Sequence, residues 1–455
     1  NWIKNVGSTE RKAKAMADIL EKIQAAGVVG AGGAGFPTHA KLNCKAEVVI
    51  ANGAECEPLL RVDQYAMRDA ADEIVAGLLF AMEACGAIRG VICTKEHYHD
   101  AVESLGRALK GKNNLSLKLL KSTYPAGDEQ VMVYEVTGKV VPTGGLPLDA
   151  GAVVLNVSTL INVHRAQSLI PVTSKVVTVS GEVNTPVTLE VPIGTPYQAL
   201  IFRAGGPSSA EGYVAVIGGP CMGALERDWS KPVTKTTGGI VVLKADHPLV
   251  CTKTQNYERD VKLAKAVCCQ CSLCTQMCPR NALGLKVEPH KAMRAAANGD
   301  GALLGDVNGV FSCCNCGLCT YYACNFGLNP SAMMTRMKEG LARAGVKPEK
   351  RVAYPVSDDY SLRKLPVYRL ESRMGMDRFE ANAPLVKEEL AVARVTIPLK
   401  MHIGAPAEPV VAVGARVKKG DLIARIPEGK LGANVHASID GTVAAVDAQA
   451  IRIER

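Results

Sequence analysis

Aromatic side chains are scarce in this chain: they make up 4% of its 455 residues, with 2 Trp and 6 Phe. Lys and Arg are scattered along the chain, so the net charge of +9 provides solubility and a modest bias toward acidic partners. Few stacking platforms and no basic stripe argue against nucleic acid as a partner. Apolar runs of about 18 or more residues are also missing, which argues against a membrane span. The nearest, Ile74 to Cys85, is short and ends among polar positions. The beginning, Asn1-Trp2-Ile3-Lys4, has neither the apolar core nor the small-residue cleavage site of a signal peptide, so a cytoplasmic location is expected.

With 47% hydrophobic and 21% charged residues, the composition is globular, and the length suggests roughly three or four domains. Cysteine is abundant: ten of the 16 fall between Cys268 and Cys324. In a chain of this size such crowding indicates metal in a reducing compartment rather than a disulfide framework.

The pattern along the chain is α/β. Met16, Ile19, Leu20 and Ile23 share one helical face, which Gly27 ends. Apolar strands at 48–51, 90–93 and 115–119 then alternate with helix-like stretches at 69–84 and 97–110. From Pro171 to about Val250 the texture becomes β-rich, with runs such as 176–179 and 187–191 between Gly and Pro turns. Residues 346–392 contain Pro348, Pro355 and Pro366 with little periodicity, which suggests a connector on the surface. Strands are expected again at 395–399, 410–413, 422–426 and 442–446, as in a small barrel or sandwich.

The cysteine runs carry the most specific chemistry. The first is Cys268-x2-Cys271-x2-Cys274-x3-Cys278-Pro279, the spacing of a bacterial two-cluster ferredoxin. The second is Cys313-x2-Cys316-x2-Cys319-x4-Cys324, with Asn325 where proline is usual. Three thiolates at this interval can wrap one face of a cubane, and the fourth cysteine of each run ligates the other cluster. Cys268, Cys271, Cys274 and Cys324 are therefore paired on one [4Fe-4S] cluster, and Cys278, Cys313, Cys316 and Cys319 on the other. Zinc sites also use C-x2-C pairs, but the tripled spacing, repeated twice, suits zinc poorly. Cys269 and Cys314 are off the register, either as spectators or as substitute ligands.

A glycine-rich loop, Gly30-Ala31-Gly32-Gly33-Ala34-Gly35-Phe36-Pro37, precedes Thr38-His39-Ala40-Lys41. Such glycines let backbone N–H groups approach a phosphate or a planar ring, and Lys41 offers a positive charge. The loop follows a helix, not a strand, so it fits a Rossmann fingerprint badly, and a plain turn without ligand stays open. Asn52-Gly53-Ala54-Glu55-Cys56-Glu57-Pro58 ends a strand, where α/β proteins build ligand sites, and its carboxylates can bond a ribose or ribityl chain. Tyr124-Pro125-Ala126-Gly127-Asp128-Glu129 is another turn past a strand, and Asn156, Thr159 and Asn162 follow a further apolar run. Turn chemistry or helix capping would explain each of these alone.

Together GAGGAGFPTHAK, NGAECEP, YPAGDE and the two cysteine runs resemble the RnfC-like flavoproteins, most closely the cobalamin reductases of propanediol-utilisation microcompartments. The resemblance covers nearly the whole chain from about Ile23, and the glycine loop is similar to that of the flavoprotein subunit of respiratory NADH dehydrogenase. The segment His402-Ile403-Gly404-Ala405-Pro406 stands near the C-terminus, as in the cobalamin-reductase branch, and not at the N-terminus as in RnfC itself. The resemblance implies an N-terminal helical extension (1–22), an FMN- and NADH-binding α/β domain (23–170) and a soluble-ligand-binding β-grasp (SLBB) domain (171–250). It implies next a two-cluster ferredoxin-like helical domain (256–345), a connector (346–392) and a barrel-sandwich hybrid (393–455). The hybrid lacks the lysine that would carry a swinging arm.

By the same resemblance Gly30, Gly32, Gly33 and Gly35 line noncovalent FMN and the nucleotide, and Lys41 contacts the flavin phosphate or ring. Asn52, Glu55 and Glu57 hold FMN and orient NADH, while Tyr124, Gly127, Glu129, Asn156 and Thr159 complete the site. The implied activity is NADH-dependent electron transfer through FMN and the clusters, with no catalytic acid, base or nucleophile. The implied acceptor is cobalamin or another electron acceptor, and the alternatives are a general RnfC-like module feeding another redox protein and a non-catalytic iron–sulfur relay subunit; the implied partners are an adenosyltransferase and a microcompartment shell protein. No DxHxxG-like corrinoid motif is present.

Two cubanes require about eight iron and eight sulfide per chain after anaerobic purification. Cys271→Ala is expected to remove the signal of one cluster and spare the other, and Cys44→Ala to spare both, checked by iron and sulfide analysis with EPR. Stoichiometric zinc without acid-labile sulfide would refute the assignment.

Overall fold

The computed structural model describes residues 2–254, 256–388 and 390–455, residues 2–13 as backbone only. Asn1, part of the expected N-terminal extension, lies outside the described residues. The chain opens with α1 (Trp2–Ala25), whose apolar stripe buries Ile19 and Ile23, and Gly27 turns the chain out of it at φ +67°. Then come α2 (Thr38–Leu42), β1 (Val48–Gly53), α3 (Val62–Asp69), α4 (Ala71–Cys85), β2 (Arg89–Lys95), α5 (His99–Ala108) and β3 (Leu115–Leu120). This part closes with β4 (Thr123–Tyr124), α6 (Glu129–Thr137), β5 (Ala152–Asn156) and α7 (Val157–Ala166).

Strands β3-β2-β1-β5 form a parallel sheet in that order. Helices cover both faces, which is why its central strands are nearly unbroken apolar runs. Val49, Ala51, Ile92 and Leu155 pack with Ile74 and Leu78 of α4 and Leu160 of α7. The alternate residues Val48, Ile50, Cys93 and Val154 pack with Met132 and Val133 of α6. The parallel order brings the carboxyl ends of β1, β2 and β5 together, so Asn52, Lys95 and Asn156 stand at one edge.

A second sheet follows, from the strands β6 (Ser174–Gly181), β7 (Val187–Pro192), β8 (Tyr213–Ile217), β9 (Ala224–Glu226) and β10 (Gly239–Lys244), with helix α8 (Tyr197–Arg203) between β7 and β8; a sixth strand joins it from later in the chain. Its core gathers Val177, Val179, Leu189, Leu200, Ile201 and Val242. The cysteine region is helical: α9 (Pro248–Thr254), α10 (Tyr257–Val267), α11 (Leu273–Gln276), α12 (Pro279–Ala282), α13 (Pro289–Asn298), α14 (Val307–Phe311), a π turn (Cys319–Ala323) and α15 (Pro330–Arg343). Leu283, Leu285, Met293, Val310, Met333 and Met334 form its core.

The segment after residue 346, expected as a surface connector, has more order than its prolines suggest. It supplies β11 (Leu365–Pro366), which pairs with β4, and α16 (Val367–Met374), which buries Val367, Leu370 and Met374. It also supplies β12 (Leu385–Val386), an edge strand parallel to β7. Strands of two residues are too short to show the alternation by which strands are recognised.

The chain ends in β13 (Arg394–Pro398), β14 (Glu408–Pro409), β15 (Arg416–Val417), β16 (Leu422–Arg425), β17 (Val435–His436), β18 (Gly441–Val446) and β19 (Ala450–Glu454). They make one sheet in the order β13-β19-β18-β15 and another in the order β14-β16-β17. Residues 410–413, expected as a strand, are not one. The turn from Ala412 to Ala415, with Gly414 at φ +87°, breaks the run and leaves Val413 63% exposed. The hairpin without a swinging-arm lysine is buried, and Ser438 Oγ donates to the Ile193 carbonyl at 2.6 Å. No described helix is long and apolar enough to cross a membrane.

Helices α4 and α7 touch backbone to backbone at Gly77, where a Cβ would lie 2.0 Å from the Leu160 carbonyl oxygen. Gly77→Val is therefore expected to cost about 1–3 kcal/mol or more by overpacking. Gly106→Ala in α5, where a Cβ meets nothing within 4 Å, should stabilise by roughly 0.5–1 kcal/mol. Urea denaturation of the two variants checks both signs.

Candidate flavin and iron–sulfur site

The glycine loop leaves α1 and is closed on itself by a bridge between Val29 and Pro37 and by Gly30 N–H donating to the Phe36 carbonyl. One residue is fixed from two sides. The Ala31 N–H donates to Thr159 Oγ1 at 2.9 Å, and Lys175 Nζ from β6 donates to the Ala31 carbonyl at 2.5 Å. Gly32 and Gly33 have nothing within 4 Å of where a Cβ would be, and Gly33 has φ +62°. They face a cavity of about 720 Å³, lined also by Gly30, Phe36, Lys41, Asn52, Glu55, Gly127, Glu129, Asn156 and Thr159.

The NGAECEP and YPAGDE turns are zipped together on the far side. Asn52 Nδ2 donates to the Gly127 carbonyl at 2.9 Å, and the Gly127 N–H donates to Cys56 Sγ at 2.8 Å. Contact this close requires glycine, since a Cβ at 127 would lie 2.6 Å from the Ala54 carbonyl. Lys41 Nζ reaches Glu129 Oε1 at 3.0 Å across the cavity mouth.

The sequence reading missed Asp63, because an acidic residue inside an amphipathic helix gives no signal of its own. The Asp63 N–H donates to Glu55 Oε2 at 3.3 Å, and Asn156 Nδ2 reaches both Asp63 carboxylate oxygens at 3.0 Å. Burial, then the charge of Asp63, pushes the Glu55 carboxyl up to about 8. Burial pushes Asp63 up to about 6 despite Asn156, and lowers Lys175 to about 8. Burial and their mutual repulsion thus favour the protonated form of these carboxyls beside the cavity.

Three of the expected cofactor residues lie outside the cavity lining. A Cβ at Gly35 would meet Thr236 and His402, so this glycine lets the loop pack on the second sheet and the C-terminal segment. Glu57 is buried and accepts the N–H groups of Cys221 and Met222, both at 2.7 Å, which fixes the turn between β8 and β9. Tyr124 is buried behind the turn, and its hydroxyl donates to the Cys316 carbonyl at 2.5 Å. The family-like spacing of these residues identified the loops, but only contacts assign each side chain its place.

The cysteines surround two small cavities. Cys268, Cys271, Cys274 and Cys324 line one, with Cys269; Cys278, Cys313, Cys316 and Cys319 line the other, with Cys314. The two loops share an unusual backbone. Gln270 and Ser272 in the first, and Asn315 and Gly317 at the corresponding places in the second, all have positive φ, a strain typical of functional sites. The second run has one extra residue before its last cysteine, and the π turn at Cys319–Ala323 takes it up where the first run has the α-helical turn α11. Among the described residues no three His, Cys, Asp or Glu side chains are placed to hold a single metal ion. Thiols arranged around a volume suit a cubane, whose iron atoms each take one sulfur. Cys274 and Cys319, from different groups, pack together with Ala323 and Met277, so the two cluster positions are neighbours.

The flavin cavity and the second cysteine cavity share Arg280, Cys314 and Cys316. Arg280 is buried there. Its Nε donates to Asp128 Oδ2 at 2.9 Å, and Nη1 donates to the Ser312 carbonyl at 2.7 Å. Asp128 Oδ1 meanwhile caps α6 through the N–H groups of Gln130 and Val131. Burial alone would raise the Asp128 carboxyl, but Arg280 and the helix N–H groups hold it below its ordinary value.

Fold and site define a flavin and iron–sulfur electron-transfer protein. Residues 23–165 match the Nuo51 FMN-binding domain and 267–329 a 4Fe-4S dicluster domain. Residues 176–224 match the SLBB domain and 376–454 the RnfC barrel sandwich hybrid domain. The chain is 41% identical over 440 residues to "Cobalamin reductase PduS" of Salmonella typhimurium and 39% over 439 residues to that of Citrobacter freundii, covering 96% of each chain in both cases. It is 37% identical over 272 residues to one component of the Na(+)-translocating ferredoxin:NAD(+) oxidoreductase complex of Acetobacterium woodii, covering 58% of each. The chain belongs to the PduS cobalamin reductase family. The open glycine loop, Lys41 and the cavity volume fit FMN, and the two groups of four thiols fit [4Fe-4S] clusters.

The raised carboxyls set a pH dependence. Folded Glu55 keeps its proton up to about 8, whereas an ordinary Glu loses it near 4.5, so the folded state binds more protons between these values. The stability that Glu55 contributes to the flavin-free protein should therefore fall as pH rises from about 5 to about 8. Thermal melts across this range are expected to show a shallower fall for Glu55→Gln. The fall should not vanish, because burial also pushes Glu57 up to about 7.

Proposed function

We propose that the protein is an NADH-dependent oxidoreductase that reduces a corrinoid, cob(III)alamin or cob(II)alamin, through FMN and then its two clusters. The observation that carries this reading is the wall shared by the flavin cavity and the second cysteine cavity, made of Arg280, Cys314 and Cys316. When bound, FMN supplies a centre that accepts a hydride and passes on electrons singly, and the clusters accept electrons one at a time. The residues of the chain bind and orient. Backbone N–H groups at Gly32 and Gly33 approach the ligand, and Lys41 balances phosphate charge. Burial favours a proton at the Glu55 and Asp63 carboxyl oxygens next to the cavity.

The same wall suggests an order. Cys278, Cys313, Cys316 and Cys319 would hold a cluster next to the flavin cavity, and Cys268, Cys271, Cys274 and Cys324 would hold the next one, beyond the Cys274 and Cys319 contact. The position lined by Cys268, Cys271, Cys274 and Cys324 reaches the surface, where Cys269 and Cys271 are exposed and Phe326 is 52% exposed, so electrons would leave there. The names of the full-length relatives support a corrinoid as acceptor. The motif resemblance to the propanediol-utilisation branch supports delivery to an adenosyltransferase and recruitment by a microcompartment shell protein.

Cys316→Ala is expected to leave flavin bleaching by NADH intact and to slow anaerobic cobalamin reduction at least about tenfold, followed by stopped-flow absorbance. A wild-type protein that reduces ferricyanide but never cobalamin, even with the adenosyltransferase present, would favour a general electron-transfer module like the relative from the ferredoxin:NAD(+) oxidoreductase complex. A variant with normal cobalamin reduction would remove the clusters from the route.

A further inference from the structure

We propose that the buried Arg280 and Asp128 pair sets the reduction potential of the flavin-side cluster, the guanidinium favouring the reduced cluster and the carboxylate opposing it. Arg280 follows Cys278 by two residues, one of the four thiols of that cavity, and lines both that cavity and the flavin cavity. Its side chain is 14% exposed and that of Asp128 is 5% exposed, so water screens neither charge well.

The bonding of the pair is asymmetric. Asp128 has both oxygens engaged, one by the first turn of α6 and one by Arg280 at 2.8 Å from Nη2. Arg280 spends its remaining bond on the neutral Ser312 carbonyl, immediately before Cys313. The guanidinium is thus fixed against the cysteine loop at Ser312, while the carboxylate is held by the first turn of α6 and also meets the off-register Cys314 thiol, so both charges face the same cluster position. A cluster held by four thiolates gains negative charge when it accepts an electron, and a nearby fixed cation lowers the cost of that charge. Lys338, which lines the roomier flavin cavity but not the cysteine cavity, donates to the Cys313 carbonyl at 3.1 Å. The first cluster position does not have Arg280 in its lining. The pair therefore acts on one cluster of the two and biases an electron toward the flavin side of the chain. Arg280 is a positioning and tuning residue; no bond to the reacting atoms is assigned to it.

The test is an anaerobic redox titration of the cluster-loaded full-length protein, with EPR distinguishing the two clusters. Arg280→Gln is expected to lower the potential of the flavin-side cluster, reducing the ratio of reduced to oxidised form at fixed ambient potential about tenfold, which is 59 mV for one electron. Asp128→Asn keeps the helix cap and removes the opposing charge, so the same cluster should move up. Arg280→Lys should lie closer to wild type than Arg280→Gln, and the other cluster should move least in all three. A purely structural pair would change potential in the same direction in both neutralising variants, or move both clusters alike, and either result overturns the proposal. If Arg280→Gln fails to assemble its cluster, Asp128→Asn decides alone: an upward shift supports the proposal and any other result overturns it. These are equilibrium readings without NADH or cobalamin, so they stand or fall separately from the assigned acceptor.

Discussion

One turn, Tyr124 to Glu129, joins the flavin cavity to the neighbouring cysteine loop. Tyr124 holds the Cys316 carbonyl, Gly127 is gripped by Asn52 and Cys56, Asp128 pairs with Arg280, and Glu129 meets Lys41 across the cavity. Electron transfer between a flavin and a cluster needs the two held close and still. Here the requirement is met by hydrogen bonds from a single short segment to the glycine loop's flank, the first parallel strand and the cysteine loops. Because these bonds are largely buried, each is costly to leave unmade, and the turn has little freedom to settle elsewhere.

The second sheet plays a supporting part through two buried amines. Lys175 donates to the Ala31 carbonyl, and Lys235 donates to the carbonyls of Gly27 at 2.6 Å and Asn434 at 2.8 Å. Both lysines lose hydration to do so: burial lowers the first to about 8 and the second to about 7. The glycine loop, which has few side chains to pack, is thereby fixed by its main chain. Lys235 also ties it to the C-terminal sheets, so the ends of the chain meet at the loop.

Much of this was legible in the sequence, for identifiable reasons. The apolar runs of β1 and β2, alternating with helical stretches, gave the α/β pattern, because strands covered on both faces have no polar side to hide. The grouping of the eight thiols followed from spacing, since ligand geometry is local and the spacing is a property of one short stretch. Glu57, Gly35 and Tyr124 were legible as members of the right loops but not as to where they point. That is decided by partners far away in the chain. Asp63, Arg280 and Lys175 were invisible for the same reason: each is an ordinary charged residue until folding buries it opposite another. Residues 410–413 misled in the opposite way, since four apolar residues imply a strand unless a turn intervenes.

The π turn between Cys319 and Ala323 works as a length gauge. By taking one more residue into a single turn, the backbone accommodates the longer interval between two cysteines. The gap written into a cysteine signature thus records the winding of the intervening chain as much as the inorganic core it surrounds. A search pattern that fixes that gap at three would discard this half of the protein, although its loop conformation copies the other half at each corresponding left-handed position.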